Sequence, residues 1–119
     1  MFKIKVIDHF SAAHNLRDYM GRCEALHGHN YKVEVVVSGE ELNKNGLLID
    51  FKDVKASLEK VINRLDHNYL NELPSFVETN PTSENLAMYI YSELKKLLKE
   101  KIDSVTIWET ETSAATYCE

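Results

Sequence analysis

Three observations predict an α+β fold for this 119-residue chain. Two segments near the N-terminus alternate apolar and polar residues, two later segments carry apolar residues at spacings of three and four, and two short alternating segments close the sequence. Strands paired by hairpins with helices to one side make a four-stranded antiparallel sheet with two helices on one face. No repeat, low-complexity tract or linker interrupts this pattern, so residues 1–119 are read as one domain.

The first strand spans 2–14. Phe2, Ile4, Val6, Phe10, Ala12 and His14 share one parity, and Lys3, Lys5, His9 and Ser11 the other. Period two means one buried face. Residues 27–38 repeat it, with His27, His29, Tyr31, Val33, Val35 and Val37 on one side and Lys32, Glu34 and Ser38 opposite. The β-branched run Val35-Val36-Val37 favours strand over helix. Residues 15–26 form a loop containing Gly21, and 39–50 a polar connection. Phe51, Val54, Leu58, Val61, Ile62 and Leu65 then mark an amphipathic helix, with Asp50 as its N-cap. The stretch 66–81 is irregular and holds both prolines. Thr82 or Asn80 caps a second helix with the stripe Leu86, Ile90, Leu94, Leu97 and Leu98. Lys95, Lys96, Lys99 and Lys101 suit the negative end of its dipole. Val105, Ile107 and Glu109 share a face of the next strand, Thr112-Ser113 turns, and Ala114 to Cys118 ends the sheet.

Composition narrows the function classes. A net charge of −5 argues against a nucleic-acid partner, which favours a basic face. No stretch approaches the ~20 apolar residues of a membrane span, and the N-terminus has no signal-peptide pattern, so a cytoplasmic location is expected. The cysteines, Cys23 and Cys118, are then not expected to form a structural disulfide.

The histidines point to a metal. His27 and His29 lie two apart on a strand and face one way, with Cα atoms ~6.5 Å apart at a rise of ~3.3 Å per residue. His14 shares the buried parity of the neighbouring strand and reaches the same point if the two pair. Three neutral imidazoles would hold one zinc ion and leave a fourth position open, as a catalytic site needs. Gly28 between two ligands leaves room for a substrate or a second backbone. Cys23, four residues before His27, stands near the metal as a reactive thiol, on it as a fourth ligand, or in the loop as a small apolar residue. Asp66 and His67 either cap the first helix or move a proton. Glu109 continues an inward face, so its carboxylate needs a partner, either an arginine or the guanidine-like edge of a heterocycle.

These residues fall in segments with a recognisable pattern: Phe10-Ser11-Ala12-Ala13-His14, Cys23-Glu24-Ala25-Leu26-His27-Gly28-His29-Asn30-Tyr31, Asp50-Phe51, Leu65-Asp66-His67, Pro81-Thr82-Ser83-Glu84-Asn85 and Glu109-Thr110. Together they resemble the 6-pyruvoyltetrahydropterin synthase family over nearly the whole chain, and within it the branch that makes a 6-carboxy product. The resemblance implies a tunnelling fold (T-fold) assembled as an oligomeric barrel, typically a homohexamer of two stacked trimers with active sites between subunits. It implies zinc on His14, His27 and His29, a thiol base at Cys23, a relay pair at Asp66 and His67, a pterin anchor at Glu109, and a pterin-pocket loop at Thr82, Ser83 and Glu84. The implied substrate is 7,8-dihydroneopterin triphosphate. The implied products are triphosphate, acetaldehyde and 6-carboxy-5,6,7,8-tetrahydropterin, which feeds queuosine and other deazapurines.

The three-residue spacer from Cys23 to His27 is similar to that of the bacterial carboxy enzymes, whereas the animal pyruvoyl enzymes have a longer one. Glu24 leaves a folate-type 6-hydroxymethyl product as a further reading, because some relatives use a glutamate in this loop. A non-catalytic zinc-stabilised binding module, closed by Cys23, is the alternative outside enzymes.

Overall fold

A computed structural model describes all 119 residues. The order is β1 (Phe2–His14), β2 (His27–Gly39), α1 (Phe51–Ile62), α2 (Ser83–Leu97), β3 (Lys101–Thr110) and β4 (Ser113–Tyr117). Two 3₁₀ turns, Leu70–Glu72 and Pro74–Phe76, occupy the irregular stretch before α2. The sheet is antiparallel in the order β1-β2-β3-β4. The long connection from β2 to β3 carries both helices, and they pack on one face. There Val6, Phe10, Tyr31, Val33, Val35, Val37, Val105 and Ile107 from the strands meet Val54, Leu58, Val61, Leu86, Ile90 and Leu94 from the helices. The period-two pattern thus supplies one wall of the core and the helical stripes the other.

Caps set the helix starts. The Asp50 carboxylate accepts from the Lys52 amide at 2.9 Å, and the Thr82 hydroxyl from the Asn85 amide at 3.1 Å, each satisfying a donor that the first turn leaves unpaired. Thr82, rather than Asn80, is therefore the cap.

Several expectations need correction. Phe51 is 53% exposed and Phe2 46%, because each begins its element beyond the reach of the opposite layer. The second helix stops at Leu97, so Lys99 lies past its end and Lys101 opens β3. The turn between the last strands is Glu111-Thr112, and Ser113 already belongs to β4. Asp66 does not cap α1. Its Oδ1 accepts from the Ser11 amide at 2.9 Å, while the His67 amide donates to the Ser11 carbonyl at 2.6 Å and the Ala13 amide to the Asn68 carbonyl at 3.0 Å. Residues 66–69 thus run beside the outer edge of β1 and satisfy part of it.

Candidate metal centre

The register of β1 against β2 builds the centre. His14 pairs directly with His27, and Ala12 with His29, so a small side chain stands across from the third imidazole and leaves it space. One ligand atom from each of His14, His27, His29 and Glu109 lies within 4.8 Å of the others. His14 is buried (3% exposed), and its Nε2 is 3.1 Å from His27 Nε2.

Backbone carbonyls orient two of these rings. His14 Nδ1 lies 2.8 Å from the Pro81 carbonyl, and His27 Nδ1 lies 2.9 Å from the Ala25 carbonyl. A carbonyl only accepts, so each Nδ1 carries a proton, and in the neutral ring each Nε2 presents a lone pair. Two lone pairs facing at 3.1 Å repel unless a proton or a metal ion lies between them. Tetrahedral ligands at ~2.0–2.1 Å from a zinc ion stand ~3.3–3.4 Å apart, close to this spacing. Burial holds His29 below the usual histidine range, with Glu109 opposing that shift and His14 and His27 adding to it. Its ring is therefore neutral near pH 7. His29 Nε2 is buried without a hydrogen-bond partner, which a metal would supply. The residues present therefore fit a metal ion.

Beneath the cluster, Tyr31 stacks on Phe10 with ring centroids 4.7 Å apart, and its hydroxyl is 3.3 Å from His14 Nδ1. Burial raises the Tyr31 pKa well above the usual tyrosine range, so the hydroxyl stays protonated. Neither Tyr31 as a support nor the Pro81 carbonyl carries a ligand signature in the sequence. Only the fold brings Pro81, 67 residues downstream, against His14.

Glu109 continues the inward face of Val105 and Ile107 and sits at a bulge in β3. Trp108 pairs with Ala114 and Thr110 with Ser113, leaving Glu109 as the extra residue. Its Oε1 is 3.2 Å from His29 Nε2, and its Oε2 accepts from the Ser83 hydroxyl at 3.0 Å. Among the three loop residues, Ser83 touches Glu109, Thr82 caps α2, and Glu84 is exposed in the first helical turn.

Cys23 is exposed, and its sulfur is not part of the ligating group, so the closed site with a thiolate ligand is not the one formed. Its loop is held at the stem. The Asn71 side chain bonds both backbone groups of Asn15 (3.0 and 2.8 Å), and the Asn80 side chain does the same for Arg17 (2.9 and 3.0 Å). Arg17 also donates to the Asn71 and Phe76 carbonyls. Glu24 is tied in as well: its amide donates to the Leu16 carbonyl at 2.8 Å, and its carboxylate accepts from the Leu16 amide at 3.3 Å.

His67 stands apart from the four ligating residues. It holds a left-handed φ of +57° that a non-glycine residue rarely adopts, and its side chain is 83% exposed. The Asp66 Oδ2 lies 3.0 Å from His67 Nδ1. With Ser11, Ala13, Gly28, His29 and Asn30, His67 lines an open cavity of about 500 Å3. A Cβ at Gly28 would meet only the Ala12 carbonyl, at 3.5 Å, so the glycine keeps this wall low without being forced by a close neighbour.

The Asp66 carboxyl sits below the usual carboxylate range, chiefly because the Ser11 amide bonds to it, with His67 adding. A lowered folded value stabilises the fold above the unfolded pKa, and that contribution is lost as pH falls through the folded value. Asp66→Asn should therefore flatten part of the decline in Tm below pH ~4, where unfolded carboxyls begin to protonate. An unchanged acid limb in thermal scans would contradict this role.

Comparison with known proteins accounts for the arrangement. The sequence profile described as 6-pyruvoyl tetrahydropterin synthase matches residues 3–119. A 6-carboxy-5,6,7,8-tetrahydropterin synthase of Synechocystis sp. is 39% identical over 113 residues, covering 91% of this chain and 86% of the relative. A dihydroneopterin monophosphate aldolase of Pyrococcus furiosus is 37% identical over 102 residues, covering 84% and 82%. The structure of the Caenorhabditis elegans 6-pyruvoyl tetrahydropterin synthase superposes with a TM-score of 0.88 at 29% identity, covering 99% of this chain and 95% of the other. The sheet-and-helix layer is thus the tunnelling fold, and this chain belongs to the 6-pyruvoyl tetrahydropterin synthase family.

Proposed function

We propose that this protein is a zinc-dependent carbon–oxygen lyase that converts 7,8-dihydroneopterin triphosphate and one water molecule to 6-carboxy-5,6,7,8-tetrahydropterin, releasing triphosphate and acetaldehyde, the water supplying the second carboxyl oxygen. The observation that carries the proposal is the convergence of His14, His27 and His29, two of them fixed by backbone carbonyls so that Nε2 lone pairs meet. Zinc held there would lower the pKa of the substrate's side-chain hydroxyls, as it does for water. Cys23 would take a proton from the side chain, and His67, oriented by Asp66, would return one. Glu109 would accept two parallel N–H bonds from the pterin edge, with Ser83 steering the carboxylate and Thr82 and Glu84 shaping the helix start beside it.

Assembly completes the reading. Most of the β1 edge and the outer edge of β4 have no strand partner in the chain. Tyr19, Met20 and Leu26 are exposed apolar side chains on the Cys23 loop. A homohexameric ring with sites between subunits would pair those edges, cover that loop and bring an exposed His67 to a neighbouring centre. No helix is long and apolar enough to cross a membrane.

The competing products are a pyruvoyl pterin and a 6-hydroxymethyl pterin. The Pyrococcus relative's name favours keeping the second, with Glu24 as its base. Against it, the Glu24 carboxylate is engaged by the Leu16 amide and lies 3.7 Å from the Nδ1 side of His27, away from the converging Nε2 atoms. Incubation with 7,8-dihydroneopterin triphosphate followed by mass identification should return the 6-carboxy pterin and acetaldehyde. A pyruvoyl or hydroxymethyl pterin alone would overturn the assignment.

A further inference from the structure

Glu109 is the member of the cluster that a three-histidine site does not explain. Its carboxylate rests against an imidazole nitrogen of the cluster instead of standing free to meet the far edge of a heterocycle. Here Oε1 is 3.2 Å from His29 Nε2, yet that nitrogen forms no hydrogen bond, so the approach is out of line for an N–H donor. With the His29 nitrogen presenting its lone pair, as a metal ligand must, two acceptor atoms this close would repel unless they shared a cation. The contact is also built rather than incidental. The bulge in β3 frees Glu109 from ladder pairing, and the Ser83 hydroxyl holds its other oxygen at 3.0 Å. Ser83 is itself buried at the first position of α2, just after the Thr82 cap, so the steering group stands on a fixed helix end.

We infer that in the substrate-free protein Glu109 supplies the fourth ligand of the metal, and that it leaves this position when a ligand with a guanidine-like edge arrives. The first half rests on the metal-site reading and the second on the pterin reading. One carboxylate then does two jobs in sequence. While the pocket is empty it completes a four-donor set of three imidazoles and one oxygen and satisfies His29's orphaned surroundings. When a pterin enters, its N–H edge competes for the same oxygens, and the position beside the three imidazoles opens only with substrate present to use it. The closed resting set also differs from a structural site, because the carboxylate is about one-third exposed and so within reach of an entering ligand.

The test is carried out on the metal-free protein reloaded with cobalt(II), whose visible spectrum reports ligand number and type, together with zinc affinity by chelator competition. Glu109→Gln is expected to weaken zinc binding by at least ~10-fold, since even outer partners of ligands are worth that much. It should also change the cobalt spectrum. In Glu109→Ala, added acetate should refill the position and restore the wild-type spectrum. In the wild type, 7,8-dihydropterin, which has the guanidine-like edge but no side-chain hydroxyls, should shift the spectrum towards that of Glu109→Gln. Equal affinity and an identical spectrum in Glu109→Gln would overturn the inference while leaving the three-histidine site intact. A wild-type spectrum indifferent to dihydropterin would overturn the exchange, and this arm needs no variant to fold. A wild-type protein that binds no metal would bring down the inference and the metal-site reading together.

Discussion

Replacing His27 with alanine is expected to lower metal affinity by more than ~100-fold, beyond what loss of an outer-shell partner costs, and to reduce turnover to background. The fold should survive. His27 is about one-third exposed, and its Nδ1 contact is to a neighbouring loop carbonyl, so little of the core depends on it. His14→Ala makes the informative contrast. His14 is 3% exposed, and its removal leaves the buried Pro81 carbonyl without its donor. Stranding a buried polar group costs ~1–3 kcal/mol, so this variant should lose stability as well as metal. Metal content by mass spectrometry, zinc affinity and urea unfolding of the metal-free proteins separate the two effects. Retention of one tightly bound metal by His27→Ala would show that the centre lies elsewhere.

Cys23→Ala should behave in the opposite way. The thiol is exposed and outside the ligating group. Zinc affinity should therefore stay at the wild-type value, and stability should move by no more than ~0.5 kcal/mol, as for an ordinary surface substitution. The chemical step should slow by ~10²–10⁴-fold, the range a positioned acid or base contributes. Because substrate binding is carried by other residues, the loss should fall on kcat rather than KM. Wild-type turnover in Cys23→Ala would remove the base assignment. A loss of metal instead would restore the alternative in which the sulfur is a ligand.

Much of the fold was legible from local pattern. Alternation marked β1 and β2, and the spacing of Val54, Leu58 and Val61 marked α1 with Asp50 at its start. Legibility failed at ends, where tertiary contact decides burial: Phe51 has apolar periodicity but no opposing layer, and β3 starts at Lys101 rather than within the Val105 pattern. At the site, the three histidines followed from parity because side-chain direction in a strand is a local property. Asp66 gave no such clue. Its acidic side chain after a helix suggests a cap, but it bonds Ser11, 55 residues away.

The three clustered histidines show the division most plainly. Sequence alone determined that His27 and His29 face one way and that His14 belongs to the inward set of its strand, since a pleated backbone alternates whatever surrounds it. It also determined the family, through motifs spread along the whole chain. Tertiary structure decided the rest. The direct pairing of His14 with His27, the Pro81 carbonyl that orients the first imidazole, and the approach of the Glu109 carboxylate to His29 all join residues far apart in the chain. No local pattern encodes such contacts, because they exist only once α2 and β3 have packed against the first two strands.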